Sequence, residues 1–140
     1  MTRYVHDSFS LLAHFWEEPS GPRIDELIAD RRHRHWISVI NLGEALYKTA
    51  RQEGSDGAER LLGAVFDLPL QLVDADYALT MDAARIKARY RMSYADCFAA
   101  ALAQRLGATI VTGDPEFEAI AQAGELQIEW LTPKPKARRR

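Results

Sequence analysis

The chain has 140 residues, of which 47% are hydrophobic and 27% are charged. This length suits a single domain, and the apolar fraction is high enough to build a core, which excludes an intrinsically disordered protein. No apolar run reaches the roughly 18 residues that a membrane-spanning helix needs. We therefore expect no membrane partner. The N-terminus lacks a basic segment followed by an apolar run, so we also expect no signal peptide.

Basic residues are concentrated at the C-terminus. The formal net charge is −2, but the last eight residues contain five of the 18 Lys and Arg residues and no acid. The first 132 residues therefore carry 13 bases against 20 acids, which is unusual for a protein with a broad nucleic-acid-binding surface. We predict one domain over residues 1–132 and a disordered basic tail over residues 133–140, which either keeps the protein soluble or contacts a polyanion.

Cysteine usage limits both the chemistry and the compartment. Cys97 is the single cysteine of the chain, so an internal disulfide and a zinc site built from several cysteines are excluded. A lone cysteine fits a reducing compartment, and we expect the protein to be cytoplasmic.

Short apolar runs alternate with helical patterns along the chain. The predicted strands are Arg3–His6, Trp36–Ser38, Gln71–Val73, Ala108–Val111 and Gln127–Trp130. The predicted helices are Ser8–Trp16, Ser20–Arg34, Val39–Glu53, Asp56–Asp67, Asp76–Tyr90, Ser93–Leu106 and Pro115–Gln122. Strands separated by helices predict an α/β fold with a parallel sheet of about five strands that is covered by helices on both faces.

Acidic residues occur at positions where folding alone does not require them. Asp7 follows the first predicted strand, and Asp114 follows the fourth. Ligands of open parallel sheets bind at the carboxyl ends of the strands, where helix N-termini also favour anions. Glu44 lies in a helix that is apolar over a wide arc, and Asp96 lies in one that is apolar nearly all round. A charged carboxylate on such a buried helix needs a partner.

Each of these acids also has a purely structural interpretation. Asp7 and Asp114 could cap the helices that follow them. Glu44 could pair with the lysine one turn later, and Asp96 could complete a capping box that begins at Ser93. Four carboxylates around one crevice would repel one another, and Mg²⁺ or Mn²⁺, which prefer oxygen ligands, would relieve that repulsion. Taken together, the four acids predict a divalent-metal site.

Four segments resemble a known family. Residues 4–8 read YVHDS, residues 38–47 SVINLGEALY, residues 93–103 SYADCFAAALA and residues 106–117 LGATIVTGDPEF. In this order and at this spacing they resemble the PIN-domain ribonucleases, and among them the VapC-type toxins of bacterial toxin–antitoxin pairs. The resemblance covers residues 3–131, and it implies an α/β/α sandwich around a small parallel sheet.

The resemblance also implies the residues of the site. The family's four acids, which would be catalytic and hold one or two Mg²⁺ or Mn²⁺ ions, fall on Asp7, Glu44, Asp96 and Asp114. Further candidates near the acids are Ser8, Thr112 and Glu116. Two basic residues just before the helix of Asp96 are candidates for RNA contacts at the rim, namely Arg89 and Arg91.

Two residues depart from the family pattern. Phe9 stands where the family usually has a small polar residue, so the hydroxyl would have to come from a neighbour such as Ser8. His6 stands where an apolar strand residue is more usual. It is either a hydrogen-bonded core residue or a substrate contact.

The activity that the resemblance implies is metal-dependent hydrolysis of RNA phosphodiester bonds, which leaves 5′-phosphate and 3′-hydroxyl ends. Because metal-bound water ionises near neutral pH, no histidine general base is required. The implied partners are RNA, a cognate antitoxin and a second copy of the chain in a homodimer. Two alternatives stay open: a phosphatase or phosphotransferase with Asp7 as covalent nucleophile, and a non-catalytic module that binds RNA or a protein partner.

Overall fold

The computed structural model describes residues 1–131, in which five strands alternate with six α-helices. In chain order the elements are β1 (Arg3–His6), α1 (Ser8–Phe15), α2 (Gly21–Ala29), β2 (Arg34–Ser38), α3 (Val39–Phe66), β3 (Leu70–Val73), α4 (Tyr77–Arg89), α5 (Tyr94–Leu106), β4 (Thr109–Thr112), α6 (Glu118–Gln122) and β5 (Ile128–Trp130). A 3₁₀ turn over Pro115–Phe117 precedes α6. The predicted basic tail, residues 133–140, lies outside the described residues.

All five strands pair in parallel, in the order β3-β2-β1-β4-β5. β1 is the central strand, and its last residue, His6, lies opposite Ile37 of β2 and Val111 of β4. The chain passes from β1 to β2 and β3 on one side and to β4 and β5 on the other, so the strand order reverses between β1 and β4. Ligand crevices form at such a reversal. The predicted five-stranded parallel sheet is confirmed.

Helices cover both faces of the sheet, because successive side chains of a strand point to opposite sides. Val5 of β1 and Ile110 of β4 pack with α4 and α5. Ile37 of β2 packs on the other face, with Leu11 of α1 and Leu61 of α3. This arrangement is an α/β/α sandwich, as the sequence resemblance implied. No helix within residues 1–131 is long and apolar enough to cross a bilayer.

α3 consists of two helical segments joined at Gly54. Gly54 has a φ of 79° and a ψ of −178°, a conformation that other residues rarely adopt. The two helices that the sequence predicts on either side of Gly54 are therefore the two halves of α3.

The predicted helix Ser20–Arg34 is wrong at its C-terminal end. α2 ends at Ala29, and the side chain of Asp30 then accepts a hydrogen bond from the backbone N–H of Arg32 in a turn. Arg34 pairs with Arg3 as the first residue of β2, which is two residues longer than predicted. The tertiary pairing with β1 decides this boundary, and helical periodicity does not report it.

A buried chain of hydrogen bonds links β1 to β2 and α2. The Leu27 carbonyl can only accept, so Nε2 of His35 donates to it over 3.2 Å. Nδ1 of His35 must then accept from Nε2 of His6 over 2.8 Å, and Nδ1 of His6 accepts from the Ser10 hydroxyl over 2.6 Å. His6 is therefore a hydrogen-bonded core residue in its neutral form. Burial, with repulsion from His35 and His14, lowers the pKa of His6 to about 3.

The buried hydrogen bonds of His6 predict that the folded protein loses stability in acid. Unfolded His6 takes up a proton near its ordinary pKa of 6.5, whereas folded His6 stays neutral down to about 3. The contribution of neutral His6 to the unfolding free energy is therefore complete above pH 6.5. It falls as the pH is lowered, by roughly 2 kcal/mol at about pH 5. We expect the loss in unfolding free energy between about pH 7.5 and about pH 5 to be smaller in His6→Gln than in the wild type, as measured by urea denaturation. Equal losses in the two proteins would contradict this assignment.

Candidate metal centre

Asp7 lies at the carboxyl end of β1 and is buried, with 1% of its surface exposed. One carboxylate oxygen accepts the backbone N–H of Ser10 over 2.9 Å, so Asp7 is the N-cap of α1. The other oxygen accepts the hydroxyl of Thr112, the last residue of β4. Asp7 thus joins the ends of the two central strands as well as capping a helix.

The turn after β4 places Asp114 beside Asp7. The Thr112 hydroxyl oxygen accepts the backbone N–H of Asp114 over 3.0 Å while it donates to Asp7. Asp114 in turn accepts the backbone N–H of Glu116 over 2.9 Å, which caps the 3₁₀ turn. Thr112 therefore contributes by fixing both neighbouring acids.

Asp96 lies in the first turn of α5 and is 3% exposed. The Ser93 hydroxyl accepts the Asp96 backbone N–H over 3.1 Å, which is one half of the predicted capping box. The other half is replaced, because the Ser93 backbone N–H donates to the Glu116 carboxylate over 2.9 Å. The carboxylate of Asp96 is thereby released from capping, and one oxygen each of Asp96, Asp114 and Glu116 lie within 4.8 Å of one another.

Glu44, on α3, faces the same cleft as these acids. It accepts a hydrogen bond from the Ser8 hydroxyl, and Nζ of Lys48 lies 3.7 Å from its other oxygen. The buried Asn41, one turn before Glu44, donates to the carbonyl of Ala95 over 3.1 Å and so fixes α3 against the start of α5. Sequence reasoning gave Asn41 no role, although a buried amide on an apolar helix face is a signal of such a contact.

The electrostatics of the site favour a bound cation. Burial raises the pKa of Asp7 to about 7, helped by the carboxylates of Asp114 and Glu44, even though the hydrogen bonds from Thr112 and Ser10 act in the opposite direction. Burial, the contact with Glu116 and the charges of Asp7 and Asp114 raise the pKa of Asp96 well above its usual range. Like charges held together in a buried site disfavour ionisation unless a cation compensates them.

The donor set fits Mg²⁺ or Mn²⁺. Asp96, Asp114 and Glu116 offer only carboxylate oxygens, which hard divalent cations prefer, and cysteine sulfur is absent from the group. Asp7 and Glu44 lie next to this group as further oxygen donors. Glu116, which the sequence marks only as a further candidate, therefore belongs to the tightest cluster of acids. Its position depends on Ser93 of another element, which sequence spacing does not reveal.

The acids open into a cleft of about 670 Å³. Lys48 is the one base among the described residues that line it. Arg89 donates two hydrogen bonds, of 3.1 and 2.7 Å, to the Glu125 carboxylate, and this pair lies outside the cleft lining. Arg91 is exposed on the segment before α5 and does not line the cleft either. RNA contacts by these two arginines stay a prediction, and Lys48 is a cleft residue that the sequence indicated only as a partner of Glu44.

The fold and the donor set together define an α/β domain with an acidic site at the carboxyl ends of its central strands. The family model described as PIN domain matches residues 4–123, and the chain belongs to this family. PIN domains are in general nucleases, with which the acidic cluster is consistent. Comparison with curated protein sequences gives no match.

Several solved structures share this fold. VapBC2 from Rickettsia felis, bound to a DNA fragment from its promoter, has a chain with 21% identity and a TM-score of 0.72, with coverage of 91% of this chain and 98% of that chain. VapC20 of Mycobacterium tuberculosis, described as a toxin that cleaves the sarcin–ricin loop, has 17% identity, a TM-score of 0.71 and coverage of 84% and 94%. DNA-bound VapBC from Salmonella typhimurium has 21% identity, a TM-score of 0.67 and coverage of 94% and 100%.

The acidic cluster predicts opposite effects of one substitution with and without metal. The pKa of Asp96 is raised above its ordinary value of 3.8 in the folded protein. The stabilisation linked to protonated Asp96 is therefore complete below pH 3.8 and is lost as the pH rises. At neutral pH without metal, Asp96→Asn should therefore raise the melting temperature, where about 1 kcal/mol corresponds to roughly 3–5 °C. The variant should also gain less than the wild type when Mg²⁺ or Mn²⁺ is added.

Circular dichroism melting in EDTA and in a metal series measures both effects. Asp82→Asn is the matched control, because Asp82 is an exposed acid on α4 paired with Arg85 and does not line the cleft. An equal metal-induced increase in wild type and Asp96→Asn would contradict a metal site that contains Asp96.

Proposed function

We propose that the protein is a metal-dependent endoribonuclease, the toxin of a toxin–antitoxin pair. The observation that carries the proposal is the gathering of Asp96, Asp114 and Glu116 within 4.8 Å beside the buried Asp7, at the carboxyl ends of β1 and β4. Membership of the PIN family and the fold shared with VapBC proteins support it. The RNA-cleaving description of VapC20 supports RNA as the substrate.

Asp7, Glu44, Asp96 and Asp114 are the proposed catalytic and metal-binding residues, with Glu116 as an added ligand. When bound there, Mg²⁺ or Mn²⁺ would supply a water of lowered pKa and charge stabilisation for the phosphate. The chain's own residues hold the acids in place for this chemistry. Thr112 and the Ser10 backbone orient Asp7, and Ser8 orients Glu44.

Lys48 offers the positive charge that an incoming phosphate needs. Its ammonium group lies 3.7 Å from Glu44 and is partly exposed to the cleft. With a divalent cation bound to the acids, the attraction of Lys48 to Glu44 would be weaker, and its ammonium group would be available to a phosphate oxygen.

The proposed partners follow from the same comparison. The Rickettsia felis and Salmonella typhimurium neighbours are VapBC assemblies, so we propose an antitoxin partner for this chain. The antitoxin would present Arg or Lys to the acidic cluster and so exclude the metal. We further propose a homodimer and, since Cys97 is a free thiol, a cytoplasmic location.

The geometry disfavours a phosphatase with Asp7 as nucleophile. Asp7 is 1% exposed, its two oxygens accept hydrogen bonds from Ser10 and Thr112, and it does not line the cleft. A nucleophile must reach the phosphorus atom of its substrate. Asp7 is better placed as a buried partner of the other acids.

Loss of one acid should abolish RNA cleavage. We expect Asp96→Asn to lower cleavage of total cellular RNA in Mg²⁺ or Mn²⁺ by at least about 100-fold, because electrostatic stabilisation at the phosphate is lost. Asp82→Asn should cleave like the wild type, and EDTA should stop both active proteins. Equal cleavage by Asp96→Asn and wild type would remove the proposal.

The same assays separate the alternatives. Hydrolysis of p-nitrophenyl phosphate that disappears in Asp7→Asn, with RNA left intact by the wild type, would favour the phosphatase. Binding of RNA by the wild type without cleavage in Mn²⁺ would favour a non-catalytic module.

The proposed antitoxin should inhibit the nuclease. Purified cognate antitoxin, added in equimolar amount, is expected to reduce RNA cleavage at least about ten-fold, because a guanidinium or ammonium group pairs with the acids in place of the metal. An unrelated protein at the same concentration is the control. Unchanged cleavage with the antitoxin present would refute this partner.

A further inference from the structure

One wall of the cleft is apolar, and the metal centre does not account for it. The cleft is lined on this side by Phe9, Leu12, Ala13, Trp16 and Pro19, all from α1 and the segment that follows it. Leu12 and Ala13 are buried at the base of this wall, whereas Phe9 is 37% exposed. A large aromatic side chain thus remains in contact with solvent two residues after the buried Asp7.

Gly113 determines where the Phe9 ring lies. A Cβ atom on Gly113 would come within 2.4 Å of Cε1 and Cζ of Phe9, which is closer than real Cβ contacts permit. The ring therefore rests against the backbone between Thr112 and Asp114, where any larger residue would displace it. Phe9 and Gly113 bring an aromatic surface to the edge of the acidic cluster.

The chemistry of the cleft identifies what this surface can bind. A phosphate group would interact with the proposed metal centre and with Lys48, and it would gain nothing from an apolar wall. A nucleobase joined to that phosphate has a flat π-face, and unpaired bases stack on aromatic side chains in RNA-binding proteins. The volume of about 670 Å³ falls within the usual range for small-ligand pockets, so it accommodates a nucleotide.

We propose that Phe9 is a base-stacking platform for the unpaired nucleotide next to the scissile phosphate, with Gly113 as the residue that positions its ring. This inference rests on the proposed nuclease function and extends it to the substrate. A base in a duplex is covered on both faces by its neighbours, so the platform selects RNA that is single-stranded at the cleavage site.

The test is binding of a fluorescent single-stranded RNA oligonucleotide to the wild type by anisotropy, in Ca²⁺, a hard cation that also takes oxygen ligands, with gel electrophoresis to verify that the strand stays intact. Phe9→Leu should weaken binding by about 5- to 100-fold, and Phe9→Tyr should restore it because the ring is retained. Phe66→Leu is the matched control, since Phe66 is 77% exposed at the end of α3 and does not line the cleft.

Two further arms tie the effect to stacking. The wild type should bind an oligonucleotide with one abasic position as weakly as Phe9→Leu binds the intact oligonucleotide. For the abasic oligonucleotide, Phe9→Leu should cause no further loss of affinity. Gly113→Ala should weaken binding when Phe9 is present but have little added effect in Phe9→Leu, because it acts through the ring.

The outcomes separate this inference from the proposed function. If the wild type cleaves RNA but binds it with the same affinity as Phe9→Leu, the platform is overturned and the nuclease proposal stands. That result would assign the apolar wall to a protein partner. Absence of measurable RNA binding by the wild type also overturns the platform. If the wild type binds RNA but does not cleave it, only the nuclease proposal is overturned.

Discussion

The repulsion between carboxylates held together in a buried crevice is the constraint on which this structure depends. Asp7 and Asp96 are almost fully buried, and their raised pKa values show that ionisation is opposed by burial and by neighbouring acids. Hydrogen-bond donors from the surrounding elements keep this arrangement ordered. They include the hydroxyls of Thr112 and Ser8 and the backbone N–H of Ser10. A divalent cation bound at the acidic cluster would offset the same repulsion from inside the crevice.

An acid of this site can cap a helix and still lie in the acidic cluster, although capping and metal binding are competing interpretations of the sequence. Asp7 caps α1 with one oxygen and meets Thr112 with the other, so a single carboxylate both begins a helix and joins two strands. The Asp96 carboxylate, unlike that of Asp7, does not cap the helix that it belongs to. Glu116 takes over the bond to the Ser93 backbone that Asp96 would make in a complete capping box. A local motif can therefore be half present because a residue distant in sequence supplies the other half.

Alternating apolar runs and helical patterns predict the parallel sheet, and the family resemblance implies the sandwich; both are confirmed. The four acids are candidates because an acid after a strand or on an apolar helix leaves a local signal. Sequence alone could not predict contacts that depend on two separate elements. The end of α2 was missed since β2 pairs with β1 from Arg34 onwards. The place of Glu116 in the cluster depends on Ser93, and the Phe9 ring depends on the missing side chain of Gly113. Such contacts are set by tertiary packing, which periodicity does not report.

If the protein is the proposed nuclease, its charge distribution requires that metal binding precede or accompany the approach of RNA. The first 132 residues carry more acids than bases, and Lys48 is the one base among the described lining residues. Arg89 is already engaged by Glu125 outside the cleft. In the proposed reaction, an approaching phosphate would meet net negative charge unless a cation neutralised the acidic cluster. The apolar wall would contribute to RNA affinity even where the net charge of the cleft is unfavourable, because stacking of a base does not depend on the sign of the local charge.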